Sequence, residues 1–123
     1  MDAPCRILAV DNETAVTTSL RFVFTAPRYE ITCVDSGEAA LTQLSGPPDA
    51  YDVIIVDQKM PRLTGSELVQ KIRERGIGTK IIVVSANLSE DVREAYHRHD
   101  VHVMFSKPFN VNELRSTVDQ LTA

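Results

Sequence analysis

Four polar residues stand at, or just after, the ends of short apolar runs. Asp11 follows Ile7-Leu8-Ala9-Val10, Asp57 follows Val53-Ile54-Ile55-Val56, Ser85 follows Ile81-Ile82-Val83-Val84, and Lys107-Pro108 follows the run ending at Phe105. Two carboxylates, a hydroxyl and an ammonium suit a divalent cation together with a phosphoryl group. A carboxylate that attacks a phosphoryl group brings an anion up to an anion, so such chemistry rests on positioning and charge neutralisation. Asp11 and Asp57 offer the hard oxygens that Mg²⁺ prefers. Lys107 offers a mobile point charge for one phosphoryl oxygen, and Ser85 a hydrogen bond for another. A bond made by Ser85 only when the phosphoryl group is present would bias its loop between two positions.

These residues meet only if the apolar runs lie side by side. Continuous Val/Ile/Leu runs bounded by polar residues fit strands of a parallel sheet covered on both faces. All the carboxyl ends of such a sheet share one edge, where open α/β folds bind ligands. Helical patterns separate the runs. Val16, Leu20, Val23 and Phe24 share a face in 14–25, which Pro27 ends. A second strand spans 30–34, and Asp35 or Ser36 caps a helix with Ala40, Leu41 and Leu44 that stops at Gly46-Pro47-Pro48. Thr64-Gly65-Ser66-Glu67 has capping-box spacing and opens a helix through Leu68, Val69 and Ile72 that ends at Gly76. Ser89 caps a shorter helix with Val92, Ala95 and Tyr96. A last strand spans 102–105, and Asn110 with Glu113 starts a helix whose apolar stripe is Val111, Leu114, Val118 and Leu121. This alternation predicts five parallel strands with helices on both sides, in one domain over 1–123.

Composition narrows the function classes. With 123 residues, 43% hydrophobic and 24% charged, the chain is globular and buries one substantial core. No apolar run approaches the roughly 20 residues of a membrane span, and the N-terminus lacks a signal-peptide pattern, so a cytoplasmic protein is expected. A net charge of −4 argues against direct nucleic-acid binding. The densest basic group, Lys71, Arg73 and Arg75, is interrupted by Glu74 and reads as a solvated helix end. Cys5 and Cys33 read as buried thiols without a disulfide. His97, His99 and His102 read as surface imidazoles near a helix end, with metal binding as the rarer alternative.

The combination of Asp11, Asp57 with Met60-Pro61 and Gly65, Ser85-Ala86, and Lys107-Pro108-Phe109 resembles the receiver domain of two-component response regulators, over essentially the whole chain. The resemblance implies a flavodoxin-like doubly wound (βα)5 sandwich with strand order 2-1-3-4-5. It implies that Asp57 accepts a phosphoryl group from a phosphohistidine on a sensor histidine kinase or phosphotransfer protein, with Mg²⁺ as cofactor. By the same resemblance Lys107 and Ser85 assist at Asp57, and the metal is held by Asp11, Asn12, Asp57 and the backbone carbonyl of Lys59. Such a domain is not an enzyme beyond assisting its own phosphorylation and dephosphorylation. Its signal leaves through the face made by the fourth helix, fifth strand and fifth helix, here about 89–121, toward an output domain or a separate protein. Dimerisation through that face is an expectation by analogy alone.

Two positions depart from the family pattern. Asn12 stands where receivers usually carry a second acidic residue. Its amide oxygen still coordinates but brings no formal charge, and one charge pair at about 4 Å and an effective dielectric near 20 is worth on the order of 4 kcal/mol before desolvation. Weaker Mg²⁺ binding follows, which Glu13 could partly offset; a plain first-turn glutamate favoured by the helix dipole is the simpler reading. Met104 replaces an aromatic residue that in many receivers turns inward with the Ser or Thr. Met fills space without a sharp two-position signal, and alternation points Phe105 to the other face. Lys59 and Asn87 occupy rim positions that influence attack of water on an acyl phosphate.

Other readings remain in view. A pseudo-receiver, an interaction module with the fold but no productive phosphorylation, accords with Asn12 and Met104 and not with Asp57, Ser85 and Lys107. A flavin-binding protein would need a phosphate-binding loop after the first strand, whereas Asp11-Asn12-Glu13 is acidic and lacks glycine. A phosphohydrolase with an Asp nucleophile would normally carry a carboxylate two residues beyond it, where Lys59 stands.

Overall fold

β-Branched and leucine-rich runs pair into the parallel sheet their composition calls for. The computed structural model describes residues 3–86 and 88–123. Its elements are β1 (Cys5–Val10), α1 (Thr14–Val23), β2 (Tyr29–Val34), α2 (Gly37–Gln43), β3 (Val53–Val56), α3 (Gly65–Glu74), β4 (Lys80–Ser85), α4 (Glu90–His97), β5 (Val103–Ser106) and α5 (Val111–Leu121). The strands are ordered β2-β1-β3-β4-β5, all parallel.

Strand alternation divides the core in two. Leu8 and Val10, with Ile54, Val56, Ile81 and Val83, pack on one face with Ala40 of α2, Leu68 and Ile72 of α3 and Tyr96 of α4. Ile7 and Ala9, with Val53, Ile55, Ile82 and Val84, pack on the other with Leu20 of α1 and Leu114 and Val118 of α5. Met104 joins the first layer and Phe105 the second, as alternation requires.

The helix starts follow their capping residues. Ser36, rather than Asp35, caps α2 by accepting from the Ala39 N–H, Thr64 and Glu67 form a reciprocal capping box, and Ser89 and Asn110 cap α4 and α5. Gly76 takes a positive φ of 78° just after α3, the left-handed conformation that glycine adopts without a Cβ clash.

Four local readings change. Arg73 is not part of a solvated end: its guanidinium donates to the carbonyls of His99, Ile77 and Thr79 at 2.8, 2.9 and 2.9 Å. It joins the end of α3 to the entry of β4 and the turn before β5, and desolvation lowers its pKa. Val111 leaves the predicted stripe at 38% exposure, because it stands at the first position of α5, beside the Pro108-Phe109 loop and not over the sheet. α1 stops at Val23, with Phe24 closing it as a buried cap residue. Cys5, at the first position of β1, and Cys33, on the edge strand β2, are half-buried free thiols, and desolvation is the main cause raising both pKa values.

Candidate functional site

The sheet register brings the polar residues together by continuing one hydrogen bond past each strand end. The Asp11 N–H donates to the Val34 carbonyl at 3.1 Å, the Asp57 N–H to the Val10 carbonyl at 2.9 Å, and the Lys107 N–H to the Ser85 carbonyl at 3.0 Å. Val10 pairs with Val56, and Ser85 with Ser106, so Asp11 and Asp57 leave adjacent strands at the same level while Lys107 leaves beside Ser85. All three of Asp11, Asp57 and Ser85 are buried, at 5, 3 and 0% exposure, the only polar residues so placed among those described apart from tyrosines.

Lys107 bridges the edge. Its ammonium lies 2.9 Å from Asp11 Oδ2, 2.7 Å from Glu13 Oε1 and 3.5 Å from Asp57 Oδ1. The Lys59 backbone N–H and the Ser85 hydroxyl also face the Asp57 carboxylate, and both favour its charged form. Asp11 carries a second duty: its Oδ1 accepts the Glu13 N–H at 2.8 Å, tying down the chain as it enters α1. That bond lies just ahead of α1, whose N-cap position is Glu13, and leaves Oδ2 to Lys107.

Charge states follow from this packing. Burial is the main cause raising the Asp57 pKa, reinforced by the Asp11 carboxylate and opposed by Lys107, the Lys59 N–H and Ser85. Burial works against the charge on Lys107, yet its bonds to Glu13 and Asp11 and the field of Asp11 and Asp57 prevail and raise its pKa. The hydrogen bond to Lys107 is the main cause lowering that of Glu13. Three carboxylates thus face one ammonium, an imbalance that a divalent cation would correct.

Carboxylate oxygens of Asp11, Glu13 and Asp57 lie within 4.8 Å of one another, the one such group of potential ligands found among the described residues. An all-oxygen set of this size fits Mg²⁺, which takes one or two carboxylates and keeps its remaining ligands from water and phosphate. Glu13 departs from the expectation of a plain first-turn glutamate. It precedes the first turn, at the N-cap position, and its side chain turns to Lys107. The signal for this was present in the acidic residue two positions after Asp11; what sequence could not supply was the reach of Lys107 from β5 across to the start of α1. Asn12 is exposed and lines a hollow of about 390 Å³ between α1 and α2 with Arg21, Cys33 and Asp35. Lys59 meets Asp57 through its N–H, and its side chain is exposed. Asn87 lies outside the described residues. His97 and His102 stack at 5.1 Å between ring centroids, and among the described residues they join no group of three or more potential metal ligands.

One contact had no forerunner in the sequence reading. Tyr96 of α4 is fully buried, and its hydroxyl donates at 2.5 Å to Oε1 of Gln58, the residue after Asp57.

The family model of the response regulator receiver domain matches residues 7–119. The chain belongs to this family. The receiver is 34% identical over 122 residues to the two-component response regulator ORR11 of Oryza sativa subsp. japonica, covering 94% of this chain and 82% of that protein. It is 33% identical over 111 residues to the response regulator MprA of Mycolicibacterium vanbaalenii, covering 90% of this chain and 47% of MprA. The chain spans about half the length, or less, of several curated relatives that it matches. Among solved structures it superposes on the Vibrio cholerae chemotaxis protein CheY4 with a TM-score of 0.87 at 26% identity, covering 97% of this chain and 99% of that one. The flavodoxin-like architecture with order 2-1-3-4-5 is thereby that of the family. No helix among the described residues is long and apolar enough to cross a membrane.

Proposed function

We propose that this receiver takes a phosphoryl group onto Asp57 from a phosphohistidine of a sensor kinase or phosphotransfer protein, and acts as a signalling domain and not as an enzyme on an external substrate. The observation that carries the reading is the buried Asp57 carboxylate facing the Lys107 ammonium, the Ser85 hydroxyl and the Asp11 carboxylate at one strand edge. An Asp57 oxygen attacks phosphorus, the phosphorus–nitrogen bond breaks, and the imidazole departs with the electron pair and recovers a proton from solvent. Lys107 neutralises charge on the transferred group, exchanging one of its carboxylate partners for a phosphoryl oxygen. Ser85, beside Asp57, turns its hydroxyl to another. Asp11, Glu13 and Asp57, with the Lys59 carbonyl and the Asn12 amide as further candidates, would hold Mg²⁺, whose contribution is to offset the negative charge that gathers as two anions meet.

The acidic set makes phosphorylation dependent on that ion, since without it three carboxylates repel the donor. A cytoplasmic location and an output domain or separate effector downstream belong to the same reading. The pseudo-receiver alternative draws no support from the site, because Asp57, Ser85 and Lys107 converge and Glu13 adds a carboxylate beside the uncharged Asn12.

Intact mass after incubation with acetyl phosphate, across a Mg²⁺ titration, tests this. A single phosphoryl adduct that needs Mg²⁺ and is lost in Asp57→Ala is expected. No adduct at saturating Mg²⁺ from either acetyl phosphate or a histidine phosphodonor would overturn it.

A further inference from the structure

Gln58 accepts four hydrogen bonds. Its carbonyl accepts the Gly65 N–H at 3.0 Å and the Met60 N–H at 3.2 Å. Its side-chain Oε1 accepts the Ser66 N–H at 2.9 Å and the Tyr96 hydroxyl at 2.5 Å. The residue that follows, Lys59, turns its backbone N–H toward the Asp57 carboxylate and favours its charged form. Two of these bonds fasten Gln58 to the start of α3, and one reaches a different helix. Gly65 marks how tightly the parts meet: a Cβ there would clash with both the Asp57 carbonyl oxygen and the Tyr96 hydroxyl.

Tyr96 is an expensive way to make one contact. A phenol with no solvent access loses its water and needs a partner, and among the described residues Gln58 supplies it. Burial and the nearby Asp57 carboxylate both push its pKa up, so it remains a neutral donor. An apolar pair would fill the same space without that constraint, as the surrounding Leu68, Val83 and Val101 do. The hydrogen bond instead gives α4 a directional tie to the loop beside the phosphoacceptor, on the same face of the sheet where Met104 supplies only flexible bulk.

We propose that Tyr96 and Gln58 form a positioning pair: the bond holds the Lys59 peptide against Asp57, and through it α4 moves when Asp57 is occupied. The second half rests on the proposed phosphoacceptor role of Asp57; the first does not. A phosphoryl group at Asp57 competes for the Lys59 N–H, shifts the 58–59 peptide, and alters the geometry at Gln58 Oε1, which Tyr96 must follow or lose its partner. By reciprocity, a protein that binds and shifts α4 changes the readiness of Asp57 to react.

The test uses Tyr96→Phe, Gln58→Met and the double variant. In the protein without additions, amide exchange at Lys59 is expected to accelerate roughly fivefold in Tyr96→Phe, the scale of one lost net hydrogen bond. With Mg²⁺ and beryllium fluoride, a phosphoryl mimic, the NMR shifts of the α4 amides are expected to change in the parent chain and to lose at least about half of that change in either single variant. The double variant separates positioning from packing: two apolar partners are expected to recover the stability lost with the Tyr96–Gln58 bond, though not that lost at the Ser66 N–H, and not to recover the α4 response. An intact α4 response in Tyr96→Phe with the mimic bound overturns the proposal, as does recovery of that response in the double variant. Failure of the parent chain to take up the mimic, or a phosphoryl group, counts against the Asp57 role instead. Lys59 exchange then decides the positioning claim alone, acceleration supporting it and an unchanged rate overturning it.

Discussion

Asp57 is held in a place that resists its charge, and this sets a pH signature. Its folded pKa is raised, chiefly by burial, so the folded chain binds that proton more tightly than the unfolded chain. Stability therefore falls as pH rises from about 4, the ordinary carboxylate value, through the raised one. Asp57→Asn removes the cost while keeping the shape. Its melting temperature is expected to exceed that of the parent at pH 7, by roughly 4 °C for each kcal/mol relieved in a domain of this size, and the gap is expected to close toward pH 4. Thermal melts across pH check this, and equal melting at pH 7 would mean that Lys107 and Ser85 fully offset the burial. Glu13 has the opposite slope: its lowered pKa adds stability above its ordinary value, and this is lost as pH falls through the lowered one.

Glu13 and Asn12 also divide the metal question. Asn12→Asp is expected to tighten Mg²⁺ binding on the order of tenfold, a part of the bare Coulomb gain left after desolvation. Glu13→Gln is expected to weaken it severalfold, because a carboxylate leaves the group within 4.8 Å. Titration of Mg²⁺ against intrinsic fluorescence or NMR shifts measures both. A Glu13→Gln chain that binds as tightly as the parent would make Glu13 a partner of Lys107 alone.

At the scale of elements, the site depends on how α3 and β4 are fastened. The Thr64 capping box fixes the first turn of α3, whose Gly65 and Ser66 N–H groups hold Gln58. Thr64→Ala is expected to cost about 1 kcal/mol, and to speed exchange at Ser66. Arg73 fastens the other end. Replacing it with Met strands the carbonyls of Ile77, Thr79 and His99, at a cost of about 2 kcal/mol or more. Chemical denaturation of the two variants gives both numbers. A loss under about 0.5 kcal/mol for Arg73→Met would show that water replaces the guanidinium at those carbonyls.

Over the whole molecule, the parallel sheet concentrates negative charge at one edge, and the fold pays for it there. A cation that binds the folded chain and not the unfolded one stabilises it by mass action, about 2.7 kcal/mol at a hundredfold excess over its dissociation constant. Mg²⁺ is expected to raise the melting temperature of the parent and to raise that of Asp57→Asn by less. An equal rise in both would place the ion away from Asp57.

Much of this protein is fixed by local pattern. Strand runs bounded by polar residues, helix caps at Ser36, Thr64, Ser89 and Asn110, and the period of each apolar face are dictated by neighbours in the chain, which is why fold class, strand order by family likeness and the set Asp11, Asp57, Ser85 and Lys107 were legible without coordinates. The tertiary structure decided what depends on distance between elements. Only there does Lys107 reach Glu13, 94 residues away, Arg73 join carbonyls of the α3–β4 and α4–β5 connections, and Tyr96 meet Gln58 across 38 residues. A side chain's type declares what bonds it can make; which partner it finds is set by packed helices and strand register, and no local period encodes that.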